Sequence, residues 1–331
     1  AQGMSMKGKQ LSWVINQGAG GAGDLIVREL GPFFQKHIPG NPKIIFHNKG
    51  GGRFKTGAIY LYRDVKNDGM TAGNVSVIFA DWTLGGKVPI PLEKFEITGT
   101  RVCNQLIIAR KAAGINSIDD IIKGKKEIIV GQHSKYSIVP VTLRVWFDML
   151  GVKYKLLTGY RGAMKAMQAM LSNEIDLGNL NSDVYQQRIK QIKKDGVLDA
   201  VAQMGSMQNG QMVGDKTVKA PTLVDVVKKY APSKVGTPTY NAWIKVQGAM
   251  TLCQVYAAPP GTPKNMIDMW AKAIAGAYSD PGYTAIRAKR GMGPALFSDG
   301  PTTQALVAGY AKQRQSPEFK KFWAQYGPPK K

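Results

Sequence analysis

The sequence is poor in cysteine and histidine. Its 331 residues include two cysteines and three histidines, and the histidines lie far apart along the chain. Two cysteines are too few for a disulfide framework, and neither residue type recurs at the spacing of a metal-binding motif. The composition therefore excludes a disulfide-rich scaffold, and we expect no metal site.

Long hydrophobic runs are also absent. No apolar segment approaches the roughly 18 residues that a membrane-spanning helix needs. The first ten residues, AQGMSMKGKQ, lack the apolar core of a signal peptide. They fit either a cytosolic start or the mature end that remains after a signal peptide has been removed, and the residues alone leave both readings open.

Acidic residues are scarce relative to basic ones. Lysine and arginine number 45 against 22 aspartates and glutamates, so the formal net charge is +23. Such an excess suits nucleic acid, an anionic membrane surface or anionic small molecules. The lysines are spread over the whole chain rather than gathered into stripes with aromatic residues between them. We therefore expect a solvated basic surface and no nucleic-acid partner.

Glycine is abundant, at 38 residues, and much of it lies between strand and helix patterns. Apolar and β-branched runs alternate with helical periodicity, which predicts an α/β fold with mostly parallel sheets. A strand is predicted at 75–79, and methionines recurring every third residue after position 163 are predicted to be core. Between 208 and 248 the pattern predicts one helix, at 223–230, and the last predicted helix covers 302–313.

The order of these patterns predicts two lobes joined by two crossover strands. Residues 1–103 and 256–331 would form the first lobe, and residues 104–255 the second. Cys103 and Cys253 lie near the two crossings, and we predict that they are free or only incidentally close. Antiparallel crossover strands would place Cys103 nearer the far end of the second strand than to Cys253.

The stretch WVINQGAGGAGDLIVREL places Gly18, Gly20 and Gly23 as G-x-G-x-x-G between a strand and a helix. This is the fingerprint of a dinucleotide site, which also needs an acidic residue at the end of the second strand. That strand ends in HNK instead, and Asp24 at the helix start would oppose a pyrophosphate. An NADP-dependent oxidoreductase, with a basic residue after the second strand holding the extra phosphate, remains the alternative function.

Four loops suit a small carboxylate better, because free backbone N–H groups at a helix N-terminus bind it directly. Each follows a predicted strand, where open α/β sheets bind ligands. If each lobe contributes two, they face one another across a cleft and form a clamp. No nucleophile with a base and an orienting partner is visible, so we do not expect an enzyme. The four loops are 18–23, 50–56, 132–137 and 160–163.

Five motifs in order resemble the solute receptors of tripartite tricarboxylate transporters, the Bug receptors. GGAGDLIVR resembles the family's G-G-x-x-D-x-x-A-R, and NKGGGRFKTG its second loop, N-x-P-G-A-G-G-x-x-G. NDGMT, GYRGAMKAMQAMLSNEIDL and AAPPGTP resemble three further blocks. The second loop departs from the family in lacking its proline and in gaining Arg53 and Lys55.

The resemblance implies a monomeric, two-lobed, type II Venus-flytrap receptor without a cofactor. It would reside in the periplasm after loss of a signal peptide. There it would capture a small organic acid, such as a di- or tricarboxylate or an aromatic carboxylate, and deliver it to membrane permease subunits. In the family the loops after the first strands of both lobes hold one carboxylate, largely through main-chain N–H groups and ordered waters. Carried over by position, those loops are 17–24 and 160–163.

Side chains of these loops have two readings each. Asp24 either orders a water in the cleft or favours the helix N-terminus, and Arg161 either captures a carboxylate or faces solvent. Phe79 would be an apolar wall of the cleft or ordinary packing between the lobes. The expected ligand-binding residues are Gln17, Gly18, Ala19, Gly20, Gly21, Asp24, Lys55, Thr56, Phe79, Ser134, Lys135, Tyr136, Tyr160, Arg161, Gly162 and Ala163.

Overall fold

The chain is seen in a computed structural model that describes residues 4–76, 90–132, 134–160, 163–187, 196–208 and 210–328. Its strands form two sheets and a hairpin. The strands are β1 (Gln10–Ile15), β2 (Lys43–Asn48), β3 (Thr71–Val75), β4 (Glu96–Arg101), β5 (Gln105–Arg110), β6 (Ile128–Gln132), β7 (Tyr154–Thr158), β8 (Leu177–Asn181), β9 (Leu198–Gln203), β10 (Ser206–Gln208), β11 (Gln211–Val213), β12 (Gln254–Ala258) and β13 (Phe297–Asp299).

Most strands of each sheet run in one direction, within the ranges just given. The first sheet has the order β13-β4-β12-β3-β1-β2, and the second β7-β6-β8-β5-β9. In the first, β1, β2 and β3 are parallel, and β12 is antiparallel to both β3 and β4. In the second, β6 is parallel to β7 and β8, and β5 is the reversed strand. The predicted α/β fold with two mostly parallel sheets is confirmed.

Helices cover the sheets, as parallel strands require crossover connections. Among the described residues, no helix is both long enough and apolar enough to cross a membrane. The helices include α1 (Ala22–His37), α2 (Lys55–Arg63), α3 (Ile118–Lys123), α4 (Ile138–Leu150), α5 (Ala163–Leu171), α6 (Leu223–Tyr230), α7 (Pro238–Gly248), α8 (Lys264–Ser279), α9 (Pro281–Lys289), α10 (Gly300–Gln313) and α11 (Pro317–Tyr326).

Three predictions of secondary structure were wrong or incomplete. The strand predicted at 75–79 ends at Val75, and residues 77–79 lie outside the described ranges. The segment 208–248 contains α7 and part of the β10–β11 hairpin besides the predicted helix, and α11 follows the predicted last one. Both missed helices begin with a cap and a proline: Thr237 accepts a hydrogen bond from the Tyr240 N–H, and Ser316 from the Phe319 N–H. That signature was available in the sequence.

Aromatic side chains form much of the core. Trp13 of β1 is fully buried, with its ring centroid 5.0 Å from Phe34 of α1 and 5.5 Å from Trp270 of α8. On the second sheet, the indole N–H of Trp243 donates to the Thr142 carbonyl at 3.0 Å and ties α7 to α4. Helix α11 packs against both α4 and α7. Of the three methionines predicted to be core, Met170 is fully buried.

The two cysteines form a disulfide, so the prediction that they are free was wrong. Their Cα atoms are 5.6 Å apart. Cys103 lies in the short connection between two strands, since the chain leaves β4 at Arg101 and enters β5 at Gln105. Arg101 pairs with Gln254 of the antiparallel β12, so Cys103 and Cys253 continue from the same end of two adjacent strands. The disulfide therefore joins the outgoing and returning connections between the sheets.

Asp280 joins α9 to α1 through contacts that should weaken at acid pH. Its carboxylate accepts hydrogen bonds from Lys36 Nζ at 2.7 Å, from His37 Nε2 at 2.9 Å and from the Gly282 N–H at 2.8 Å. The bond from Lys36 is the main cause that lowers the pKa of Asp280 to about 2, from an ordinary value of 3.8.

Because the folded pKa lies below the unfolded one, this group stabilises the fold above about pH 4, and its contribution is lost as the pH falls towards 2. We expect the melting temperature to fall across that window. The melting temperature of Asp280→Asn should be lower than that of the wild type at neutral pH and should fall less steeply as the pH is lowered. Equal slopes in the two proteins would contradict the assignment to Asp280.

Candidate ligand-binding cleft

Asn16 holds together the loops that follow the first three strands. It is fully buried at the end of β1. Its Nδ2 donates to the carbonyl of Phe54 at 3.0 Å, and its Oδ1 accepts from the N–H of Ser76 at 3.1 Å. One amide therefore positions the loops after β1, β2 and β3 at one edge of the sheet. Asn16 was not among the predicted site residues, although a polar residue at the end of an apolar strand was a usable signal.

The predicted glycine loop is held by the side chain of Gln17. Its Oε1 accepts from the Gly23 N–H at 2.7 Å, and its Nε2 donates to Ser76 Oγ at 2.7 Å. A Cβ on Gly23 would lie 2.3 Å from Gln17 Oε1, so a larger residue at this position would displace the Gln17 amide from these hydrogen bonds. Both polar atoms of the Gln17 side chain are thus hydrogen-bonded to the protein. If Gln17 binds a ligand, as predicted, it would do so through its backbone.

Asp24 is also used within the protein. It is 3 % exposed, and its carboxylate accepts from the Gly20 N–H at 2.8 Å, from Arg28 Nε at 2.8 Å and from Asn48 Nδ2 at 2.9 Å. Burial alone would raise the pKa of Asp24, but these three hydrogen bonds outweigh burial and lower it. The carboxylate is therefore ionised at neutral pH and fixes the loop against α1. Of its two readings, the geometry favours the structural one.

The same loop presents backbone N–H groups at the start of α1. Gly18, Ala19 and Gly20 are exposed. The N–H groups of Gly20 and Gly21 are bonded to the protein, whereas in the described part of the chain those of Gly18, Ala19 and Ala22 have no protein acceptor. They lie at the positive end of the helix dipole, which favours an anion.

The second glycine loop packs against the first and has an unusual backbone. A Cβ on Gly50 would lie 2.7 Å from the Gly18 nitrogen, so the two loops are in direct contact. Arg53 and Phe54 have φ of 55° and 71°, in the left-handed region that non-glycine residues seldom occupy. Helix α2 then begins with Lys55, which is partly exposed, and Thr56, which is exposed.

The loop after β6 is closed by its own polar groups. Ser134 Oγ accepts from the Tyr136 N–H at 3.2 Å, and the Ser137 hydroxyl donates to the Ser134 carbonyl at 3.2 Å. Lys135 is exposed on this loop. The turn therefore presents the Lys135 ammonium and the Tyr136 ring directly before α4.

The loops of the two sheets meet at Tyr136. The guanidinium carbon of Arg53 lies 4.3 Å from the centroid of the Tyr136 ring, within cation–π distance. Lys135 Nζ lies 5.4 Å from the same centroid. The loop after β2 and the loop after β6 therefore contact each other across the space between the sheets. The structure thus brings together three of the four predicted loops. Loop 50–56 contacts loop 132–137 through Arg53 and Tyr136, and it contacts loop 18–23 through Gly50 and Gly18.

Tyr160 turns its hydroxyl towards its own lobe. The hydroxyl donates to the Glu174 carboxylate. Partial burial first, and the neighbouring Glu174 second, raise the pKa of Tyr160 to about 12. Its ring lies against Gly131, where a Cβ would come within 3.2 Å of it. The predicted residues Phe79, Arg161 and Gly162 lie outside the described residues, as does the side chain of Ala163.

The described loops give the cleft a positive charge. Lys49, Arg53, Lys55 and Lys135 belong to them, while Asp24 is neutralised by its arginine partner. Among the described residues, no group of three histidine, cysteine, aspartate or glutamate side chains could hold a metal ion. The arrangement suits an anion held by backbone amides and cations.

No family model and no curated protein matches the sequence. Solved structures match it along nearly its whole length. A TctC solute binding protein from Polaromonas has a TM-score of 0.68 at 17% identity, covering 96% of this chain and 98% of that one. The periplasmic binding protein BugD has a TM-score of 0.62 at 21% identity, and the match covers 97% of this chain and 99% of that one. R. palustris Rpa4515 with adipate has a TM-score of 0.63 at 16% identity, and the match covers 96% of this chain and 97% of that one.

These comparisons show the fold. The chain has the two-domain architecture of the periplasmic solute-binding proteins. More particularly, it has the form of that architecture found in the TctC and Bug proteins of tripartite tricarboxylate transporters. The resemblance inferred from five sequence motifs is confirmed at the level of the fold.

Proposed function

We propose that the protein is a periplasmic receptor that captures a small organic acid between its lobes and delivers it to a tripartite tricarboxylate transporter permease. The observation that carries the proposal is the set of backbone N–H groups at Gly18, Ala19 and Ala22, at the N-terminus of α1, which have no acceptor in the part of the chain that the structure describes. Facing loops of the second sheet complete the cleft. We further propose that the protein acts as a monomer and is not an enzyme.

A carboxylate fits this cleft on electrostatic grounds. A helix N-terminus contributes about 0.3–1 kcal/mol to an exposed anion and up to about 2 kcal/mol to a partly buried one. Most of the affinity must then come from several charge-assisted hydrogen bonds, which requires donors from both lobes. The likeness to R. palustris Rpa4515 with adipate supports an organic acid as the ligand class.

The lobe boundaries are part of the proposal. We assign residues 1–103 and 256–331 to the first lobe, and residues 104–255 to the second. The two sheets fall on either side of these boundaries, apart from Gln254 and Val255 of β12. The C-terminal α11 packs on helices of the second lobe and so bridges the two.

Filling the space in front of the first loop should abolish binding. Among the described residues, a Cβ on Gly18 would meet no atom within 4 Å, so Gly18→Leu should fold normally while its side chain covers the backbone N–H groups of this loop. We expect wild-type protein to gain about 2.7 kcal/mol of stability from an acid at 100 times its Kd, and the variant to gain none. Thermal shifts with adipate, succinate, malate and citrate would measure this.

The control is Gly309→Leu, at an exposed glycine of α10 that is equally open. It should keep the full thermal shift. If Gly18→Leu bound an acid as well as the wild type, the proposed cleft would be refuted. A shift with NADPH and none with any acid would instead favour the oxidoreductase alternative, although Asp24 already occupies the Gly20 N–H that a pyrophosphate would need.

A further inference from the structure

We propose that Arg53 and Tyr136 form a latch that holds the two lobes together. The inference rests on the proposed function for its purpose, since a latch across the cleft sets how long the cleft stays closed. Its geometry stands independently of any ligand. Arg53 belongs to the loop after β2 of the first sheet, and Tyr136 to the loop after β6 of the second.

The contact joins a cation to an aromatic ring that is held in place. The guanidinium carbon of Arg53 is 4.3 Å from the Tyr136 centroid. Tyr136 is partly buried against the main hydrophobic core, so little side-chain freedom is lost when the cation binds. Lys135 Nζ lies 5.4 Å from the same ring, which therefore has one cation from each lobe. Repulsion between the two cations is offset by the negative face of the ring.

The backbone that carries Arg53 is strained and firmly anchored. In the described residues, the non-glycine positions with positive φ are Asn41, Arg53, Phe54 and Asn173. Asparagine adopts this conformation readily, whereas arginine and phenylalanine do so at a cost. Strain of this kind persists where the surroundings impose it.

Two contacts impose it here. Asn16 donates to the Phe54 carbonyl at 3.0 Å, and the Phe54 side chain packs on the main core. The strained turn thereby directs Arg53 towards the other lobe.

The latch is connected to the proposed carboxylate site by direct contact. Gly50 packs on the backbone of Gly18, whose N–H group is one of the open donors. Asn16 links the loop after β1 to the turn at Phe54. An anion bound at Gly18 therefore touches the same rigid unit that presents Arg53, so ligand binding and the latch act on one conformational equilibrium.

The test is the distance between the lobes in the ligand-free protein. Spin labels are placed at Lys66→Cys and Lys165→Cys, two exposed positions in the first and second lobes, with the native disulfide intact. Pulsed electron–electron double resonance then gives the distribution of distances between the two labels. We expect Arg53→Ala to increase the ratio of open to closed molecules roughly two- to thirty-fold, the range that a cation–π contact supports. Tyr136→Leu should do the same from the other side of the contact.

The matched control is Lys229→Ala. Lys229 Nζ lies 4.6 Å from the Tyr230 ring, a contact of the same kind within the second lobe, and its loss should leave the distances unchanged. Wild-type distances in both Arg53→Ala and Tyr136→Leu would overturn the latch. Since no ligand is present, this result is separate from the acid-binding test: a protein that binds no acid can still show the latch, and one that binds acid can lack it.

Discussion

Replacing Cys103 and Cys253 with serine should lower the free energy of unfolding by about 5 kcal/mol. The disulfide joins residues 150 positions apart. In the chain-entropy model, a cross-link that closes so long a loop removes a large part of the freedom of the unfolded chain. Cys103 is also buried, at 2 % exposure, so the bond is protected within the fold.

The measurement is denaturation by urea of the oxidised wild type, the reduced wild type and the double serine variant. The reduced protein and the double serine variant should have the same lowered urea midpoint, because both lack the cross-link and serine is close to cysteine in size. An unchanged midpoint on reduction would show that the two connections are held together without the bond.

The disulfide also illustrates what the sequence could not provide. Its existence depends on the register of β4 with β12, two strands more than 150 residues apart, which pairs Arg101 with Gln254. Periodicity predicts that a strand exists, and carries no information on which distant strand lies beside it. The incorrect prediction for the cysteines arose at this step.

Local signals, by contrast, were sufficient for much of the fold. Ser117 stands directly before the apolar helical pattern of IDDIIKG, as a helix cap does, and α3 begins directly after it, with the Asp120 carboxylate accepting from the Ser117 N–H at 2.9 Å. Glycine favours the position after a helix, and Gly151 follows the end of α4, with φ of 67°. Such features depend on a few neighbouring residues, so the chain around them determines the outcome.

The candidate site lies between these extremes. The glycine loops could be located because they follow apolar strands. The hydrogen bonds that set their shape could not, since Asn16 and Gln17 meet Ser76 only after β1 and β3 have paired. The roles of Phe79, Arg161 and Gly162 stay predictions.

Asp183→Asn should destabilise the protein by about 3–5 kcal/mol, because the change leaves buried cations without a counter-charge. Asp183 follows β8 of the second sheet. It accepts from Arg101, at the end of β4 of the first sheet, at 2.6 Å and from Arg287, on α9, at 2.8 Å. Arg101 and Arg287 have side chains 9 % and 5 % exposed, so both are largely shielded from water. Burial by itself would raise the pKa of Asp183, but the two guanidinium groups outweigh burial and lower it.

The loss of unfolding free energy should be measured by urea denaturation, with Asp268→Asn as the control substitution. Asp268 pairs with Lys264 one turn away on α8, and both side chains are largely exposed. An exposed pair of this kind contributes about 0.3–0.5 kcal/mol, so the control should be nearly neutral. Equal effects of the two substitutions would show that Arg101 and Arg287 find other partners. The difference between the variants thus isolates the cost of leaving the buried Arg101 and Arg287 without their counter-charge.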